Sequence, residues 1–446
     1  MRKTAQLIFA VLLLAGRAPA IEREPWPLFA SRRAHLLEKL PDGVTVLFAY
    51  TAAEGESLRA PFRQESNFYY LTGWNEPGAI LMLTPPMKES GSPVYQQVKE
   101  IPREILFLPP RNPKEEHWTG VKIGPYDEGL PAKTGFEVVR DVALFERELS
   151  KAVAGFGKVY TLKPRDAAAD RERNPGRYQT LSKIVPLAEI ADGRPALTEL
   201  RMVKSQGEIG LIQKATDATV AAHLAAWKRA RSGLYEYQVA AAMMGILLDR
   251  GCERAAYSPI VGSGLNSTIL HYAANDRRMD AGDLLLMDVA GEYSLYATDV
   301  TRTIPVSGRF TPRQREIYEI VLGAQNAALA AVKPGMSIAR GGPKSLHQIA
   351  YEYIDTHGKD RDGSSLGKYF IHGLSHHVGL EVHDPSVRDA PLQPGMVITI
   401  EPGIYIPEEK IGVRIEDTVL VTETGAKVLS GALPRDPDEI ERVMRR

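Results

Sequence analysis

Hydrophobic and polar positions alternate with two different periods along this chain. Toward the N-terminus the apolar runs are short. Val44-Thr45-Val46-Leu47-Phe48 and Ala79-Ile80-Leu81-Met82-Leu83 are β-type runs with turn residues close by. Pro85-Pro86 closes the second run, and residues 104–108 predict another strand that stops at Pro109-Pro110. Helical spacing over residues 32–40 and 141–153 separates these strands from later ones. These elements make residues 21–193 an N-terminal α/β domain. The stretch Phe62-Arg63-Gln64-Glu65-Ser66-Asn67-Phe68-Tyr69-Tyr70-Leu71-Thr72-Gly73 mixes aromatic and polar groups, a composition of core and interface rather than of a binding site. A turn-rich boundary follows at Ala191-Asp192-Gly193-Arg194-Pro195.

Residues 194–446 read differently. A long helical pattern covers 204–231 and ends near Gly233, and a second covers 235–250 with Gly251 in the stop position. The same order then recurs. Thr311-Pro312 opens a long helix that ends near Pro334-Gly335, and another over 344–356 stops at Gly358. Gly282-Asp283-Leu284-Leu285-Leu286-Met287-Asp288 matches Gly395-Met396-Val397-Ile398-Thr399-Ile400-Glu401, with six positions from glycine to carboxylate in both. His271 precedes the first strand and His383 the second, and a further carboxylate follows each, Asp299 and Glu416. Helices and strands repeated twice predict a pseudo-twofold α/β domain with its carboxylates near the axis.

Composition changes the picture only at the edges. The chain has 446 residues, more than one ordinary core holds. Lys plus Arg equals Asp plus Glu at 55 each, so neither a nucleic-acid partner nor a basic membrane-binding surface is expected. Arg2 and Lys3 precede an apolar run over 7–15, and Ala18-Pro19-Ala20 fits a small-x-small cleavage site. Residues 1–20 therefore predict a secretory signal cut after Ala20 and an exported protein, periplasmic or secreted. The run is too short to span a bilayer, and no later segment has transmembrane character. Cys252 is the single cysteine, so no intramolecular disulfide forms, and its place after an apolar run suits a small buried residue.

The candidate chemistry lies in the repeat. Leu284–Val289 and Thr298–Ile304 are β-forming, and Gly291-Glu292-Tyr293-Ser294 predicts the turn between them. A hairpin there brings Asp288 near Asp299. Two buried like charges need something positive between them, and a metal ion supplies it. Glu401 ends an apolar strand. Glu416 shares a strand face with Arg414, and local pattern leaves that face open to a site or to solvent. His372, His376, His377 and His383, four of the ten histidines, crowd into residues 370–384. Imidazole is a common metal ligand. The His372–His376 spacing lacks the glutamate of a zinc helix motif, and Gly373 disfavours a helix. Gly-x-Ser-x-Gly is absent because His377 takes the second glycine's place, which excludes a serine hydrolase of that type. Four carboxylates balance two divalent ions, and mostly oxygen donors favour manganese or a similar ion. Two such ions about 3.5–4 Å apart would activate a bridging water and polarise a carbonyl.

These residues resemble the aminopeptidase P and prolidase branch of the pita-bread-fold metallopeptidases. The resemblance rests on residues 62–73, Ile260-Val261-Gly262-Ser263-Gly264 with His271-Tyr272, Met287-Asp288, Thr298-Asp299-Val300-Thr301-Arg302, residues 372–384, Ile400-Glu401-Pro402-Gly403 and Arg414-Ile415-Glu416-Asp417. It implies an α/β (α+β) chain whose catalytic domain has the fold of creatinase and methionine aminopeptidase. It implies that Asp288 binds one metal, that Asp299 and Glu416 bridge both, and that His376 and Glu401 complete the second site. Glu401 would also shuttle a proton, His271 and His383 would meet the substrate and stabilise the tetrahedral intermediate, and His372 would line the pocket by the proline ring. Tyr405 and Arg414 would support the carboxylates.

The implied reaction is removal of an N-terminal residue that precedes proline, from peptide substrates, by a homo-oligomer, dimer or tetramer. A prolidase restricted to dipeptides is the alternative. A metal-free pita-bread binding protein or a creatinase-like hydrolase is the further one, though none of the five ligands is lost. Relatives usually carry tryptophan where His377 stands, and Pro385-Ser386 replaces a small apolar pair; both changes are expected at the pocket rim and would bear on substrate length.

Overall fold

The computed structural model describes residues 21–55, 61–87, 98, 100–163, 175–342 and 344–445. The expected signal over 1–20 lies outside the described residues. In the N-terminal part six strands form one mixed sheet in the order Val139–Asp141, Glu104–Leu108, Ile80–Leu83, Val44–Phe48, Lys158–Thr161, Glu189–Asp192. Val44–Phe48 pairs antiparallel with Ile80–Leu83 and parallel with Lys158–Thr161. Alternation along these strands splits the apolar side chains between two faces. Val44, Val46, Met82, Ile105 and Phe107 pack under Phe145, Leu149 and Leu181. Leu47, Leu81, Leu83, Leu106 and Leu108 pack against Leu36, Phe68 and Tyr69.

That second core continues into the C-terminal part through Leu197, Ile212, Tyr296 and Val378. Residues 62–73 sit at the junction. Their helix Ser66–Thr72 is buried, Arg63 Nε donates to Glu292 Oε2 at 2.8 Å, and Tyr70 Oη donates to the Leu200 carbonyl at 2.9 Å. Composition had pointed to such an interface.

The C-terminal part carries the repeat. Helices Gln206–Arg229 and Glu236–Asp249 precede the first strand pair, and Pro312–Ala331 and Leu346–His357 precede the second. Leu284–Asp288 runs antiparallel to Thr301–Pro305 with Asp288 opposite Thr301. Val397–Ile400 runs antiparallel to Asp417–Val421 with Ile400 opposite Asp417. Each pair is interrupted by an inserted hairpin, Gly291–Tyr293 with Tyr296–Ala297 in the first and Gly403–Ile406 with Ile411–Arg414 in the second. The two halves meet along the strand ends: Glu416 N donates to the Thr301 carbonyl at 3.1 Å, and Asp299 N donates to Thr418 Oγ1 at 3.0 Å.

One element differs from the sequence expectation. Gly291-Glu292-Tyr293 is a strand, paired also with Arg254–Ala255, and the turn is centred two residues later, at Ser294-Leu295. Both residues have positive φ, 50° and 71°. A two-residue hairpin of this type normally shows Asn-Gly or Gly-Gly, so the sequence carries no turn signal here. Tertiary contacts hold it instead. Leu295 is buried, and Ser294 N donates to both oxygens of Glu253 at 3.0 and 2.8 Å.

Candidate metal centre

Asp288, Asp299, Glu401 and Glu416 converge with His271, His372, His376 and His383 on one cavity of about 260 Å³, which Arg414 and Leu270 also line. Topology explains the convergence. Asp288 is the last residue of its strand, and Glu401 directly follows Ile400, the last of its own. Asp299 and Glu416 precede the two return strands. The segment carrying His376 lies alongside Val397–Ile400: Thr399 N donates to the His376 carbonyl at 2.9 Å, and His377 bridges Ile398. His376 therefore comes beside Glu401, with Nε2 3.3 Å from Oε1, and beside Asp299, 3.4 Å from Oδ2.

Neighbouring side chains aim each donor. His376 Nδ1 faces the His377 carbonyl at 3.1 Å, which fixes a proton there and turns Nε2 to the carboxylates. Thr399 Oγ1 donates to Glu401 Oε1 at 3.0 Å and accepts from His376 N at 3.1 Å. Thr301 Oγ1 donates to Glu416 Oε2 at 2.6 Å. Arg414 donates through Nη2 to Asp288 Oδ2 at 2.6 Å, through Nη1 to Tyr405 Oη at 2.9 Å, and through Nε to Thr301 Oγ1 at 3.2 Å. Tyr257 Oη lies 2.5 Å from Asp288 Oδ1 and 2.6 Å from Asp299 Oδ1.

The electrostatics fit a missing positive charge. Burial and the neighbouring Asp288 push Asp299 up, and burial with the charges of Asp299, Glu401 and Asp288 pushes Glu416 well above the carboxylate range. Glu401 rises to about 7, mainly through burial. Burial pulls His376 down, but Asp299 and Glu401 outweigh it and carry the ring up to about 9. Each of these shifts marks a pocket in which added positive charge is favourable. Donor atoms of Asp299, His376 and Glu416 lie within 4.8 Å of one another. The donor set fits divalent cations: hard oxygens, one imidazole whose free nitrogen is aimed, and positively charged support for one carboxylate only.

The remaining histidines divide. His383 meets His376 edge to face, 4.3 Å between ring centroids, and burial lowers it to about 4. His372 Nε2 lies 2.8 Å from Tyr405 Oη, and its Nδ1 lies 3.8 Å from Glu401 Oε2. Burial and then Arg414 lower it to about 3. Tyr405 thus touches Arg414 and His372, and reaches Asp288 only through Arg414. His377 is not at the pocket rim. It is buried away from the cavity, its backbone bridging Asp384 and Ile398, because neighbouring residues of an extended segment point to opposite faces. Pairing of the segment with Val397–Ile400 decides which of two adjacent histidines enters the site. Tyr257, Thr301 and Thr399 were missed. For the two threonines a signal existed: each stands two positions from a site carboxylate and so shares its face.

Known proteins bear on this geometry. Residues 210–423 match metallopeptidase family M24, and residues 29–160 match the aminopeptidase P N-terminal domain. The Xaa-Pro aminopeptidase of Haemophilus influenzae is 34% identical over 437 residues, 93% of this chain and 96% of its own. This chain belongs to the M24 metallopeptidases, in the aminopeptidase P branch. The Escherichia coli Xaa-Pro aminopeptidase is 34% identical over 93% of this chain and 97% of its own. A zinc-substituted E. coli aminopeptidase P in complex with product superposes with a TM-score of 0.79 at 31% identity, covering 95% of this chain and 99% of that one. The Xaa-Pro dipeptidase of Pyrococcus furiosus is 44% identical, but over 52% of this chain and 64% of its own. As an M24 protein the chain thus combines an aminopeptidase P N-terminal domain with a pita-bread catalytic domain, as the sequence led one to expect.

Proposed function

We propose that this M24 protein is a metal-dependent Xaa-Pro aminopeptidase, an exopeptidase that hydrolyses the bond between an N-terminal residue and a following proline. The observation that carries the reading is the single cavity where four carboxylates and the aimed Nε2 of His376 face His271 and His383. Full-length similarity to Xaa-Pro aminopeptidases supports it over a dipeptidase. Asp288, Asp299, His376, Glu401 and Glu416 would hold two divalent ions, manganese by preference for an oxygen-rich set. Bound there, the ions would acidify water and polarise the scissile carbonyl.

The chain's own residues do the rest. Glu401 accepts a proton from the attacking water and passes it to the proline nitrogen. That nitrogen is a tertiary amide without N–H, so it leaves only once protonated. His271 and His383 donate to the carbonyl oxygen as it gains negative charge. His372 stays neutral and offers an uncharged ring beside the proline. Arg414 holds Asp288 and screens its charge.

Chelation followed by manganese add-back, with assays on Xaa-Pro dipeptides and longer Xaa-Pro peptides, tests the reading. Metal-dependent cleavage of the longer peptides is expected. No cleavage of either class sinks it, and cleavage of dipeptides alone makes the protein a prolidase. Export is part of the proposal, supported by the pattern of residues 1–20; fractionation and N-terminal sequencing should find the mature chain outside the cytoplasm, starting at Ile21. A homo-oligomer is supported by Trp118, Val121 and Tyr126, which are 90%, 76% and 78% exposed in one short stretch. Sedimentation should show a dimer or tetramer that Trp118→Glu weakens.

A further inference from the structure

His376 and His383 stand at the two ends of a tight hairpin. Asp384 N donates to the His377 carbonyl at 2.9 Å, an antiparallel bridge between the residues that immediately follow each histidine. The spacing of the two imidazoles therefore depends on where Asp384 is held. Its carboxylate is buried and accepts from Arg201 Nη2 at 2.6 Å, Lys204 Nζ at 3.1 Å and Glu381 N at 3.2 Å. It also rests on bare backbone: a Cβ at Gly379 would lie 2.7 Å from the carboxyl group. Arg201 lies in the last turn of the helix Arg194–Met202 and donates through Nη1 to Asn67 Oδ1 of the N-terminal domain at 2.7 Å. Lys204 N donates to the Gly395 carbonyl at 3.0 Å, at the start of the strand that leads to Glu401.

None of Arg201, Lys204 and Asp384 lines the cavity. Burying three charges is costly, and apolar residues of similar shape could hold the fold as well. What the cluster adds is a fixed point for the hairpin, with hydrogen bonds to three elements. We propose that Asp384, gripped by Arg201 and Lys204, is a positioning residue for His383: it sets the spacing of His383 from His376 and ties that spacing to the seating of the N-terminal domain. The proposal rests on the aminopeptidase reading for the role of His383.

A double-mutant cycle tests it. Asp384→Asn, Lys204→Met and Arg201→Lys are made in the full-length manganese-loaded protein, alone and combined with His383→Ala. Each is assayed on an Xaa-Pro tripeptide, with bound metal and unfolding midpoint measured alongside. Asp384→Asn should lower kcat on the order of 100-fold, as expected for a displaced catalytic group. Lys204→Met and Arg201→Lys should lower it less, with KM and metal content unchanged. In the His383→Ala background the same changes should leave kcat where it was. Losses that simply add, or variants with lowered midpoints and wild-type kcat, overturn the proposal. Should Asp384→Asn not fold, the Lys204→Met and Arg201→Lys arms decide by the same criterion, Arg201→Lys keeping the charge. A wild-type protein without metal-dependent cleavage defeats the aminopeptidase reading instead. Imidazole ¹⁵N spectra then decide the positioning: the His383 signal should move in each variant, and an unmoved signal overturns the inference.

Discussion

The two halves of the catalytic domain tie their carboxylate-bearing segments together with different residues at different places. In the first half His223, on helix Gln206–Arg229, lies with Nε2 3.1 Å from the Val289 carbonyl and 3.2 Å from that of Val300. Those residues directly follow Asp288 and Asp299. In the second half Gln325, on helix Pro312–Ala331, donates to the carbonyls of Ile400 and Ile415, both at 3.1 Å. Those residues directly precede Glu401 and Glu416. Each place requires a buried donor that ties together the two segments carrying carboxylates, because unpaired carbonyls there would be costly. It does not require a particular residue. Gln325 also reaches Asp417 Oδ2 at 3.0 Å, and its amide carries no titrating proton. Both halves thus bind their carboxylate segments to a helix side chain, one step past the carboxylates in the first and one step before them in the second.

The largest expected effect separates the two equivalent strand ends. Glu401→Gln removes the proton carrier, and kcat should fall by about 10²–10⁴-fold while the chain still folds. Asp288→Asn should show itself first as lost metal in stoichiometry measurements. Indistinguishable kinetic and metal-binding profiles for the two variants would show that the halves are interchangeable and falsify the division of roles.

Next comes the joint between halves. Arg302 of the first donates through Nη2 to Asp417 Oδ1 of the second at 2.7 Å, and both side chains are fully buried. Arg302→Met strands a buried carboxylate and should cost about 3–5 kcal/mol in urea unfolding. A cost under 1 kcal/mol would mean that this ion pair contributes little to joining the halves.

The third effect is pH. Burial, then the charge of Arg302, lowers His223 from 6.5 to about 4. Well above pH 6.5 the ring is neutral folded and unfolded alike. As pH falls from 6.5 toward 4, the unfolded chain takes up a proton that the folded protein resists, so stability drops by about 3 kcal/mol. His223→Gln copies the second half and should remove that part of the slope between pH 7 and pH 4. An identical slope in both proteins would place the acid sensitivity elsewhere.

The smallest effect concerns the helix starts. Thr311 and Ser205 each cap a long helix in a capping box, with Gln314 and Glu208 as partners. Thr311→Ala should cost about 1 kcal/mol. Ser205→Ala should cost more, since its hydroxyl also bonds Glu24. Equal thermal shifts would remove any contribution from the Glu24 contact.

Much of the architecture was legible in the sequence because it is written locally. Strand runs, glycine stops and the Thr311-Pro312 start survive folding unchanged, and the equal spacing of Gly282–Asp288 and Gly395–Glu401 exposed the repeat. The Ser294-Leu295 turn was not legible, since packing of Leu295 and the Glu253 carboxylate hold a backbone that its residues disfavour. Tyr257 was not legible either: it lies far along the chain from both carboxylates that its hydroxyl meets.

By itself, the sequence determined the carboxylate and imidazole inventory, its order and the strands that carry it, because residue type and periodicity are properties of short segments. Only the tertiary structure decided that His376 rather than His377 faces the carboxylates, that Arg414 of one half holds Asp288 of the other, and that Arg201 and Lys204 close on Asp384. Those outcomes depend on which segments pair and which groups are buried together. Burial raises the cost of an unmatched charge, and that cost selects partners regardless of their distance along the chain.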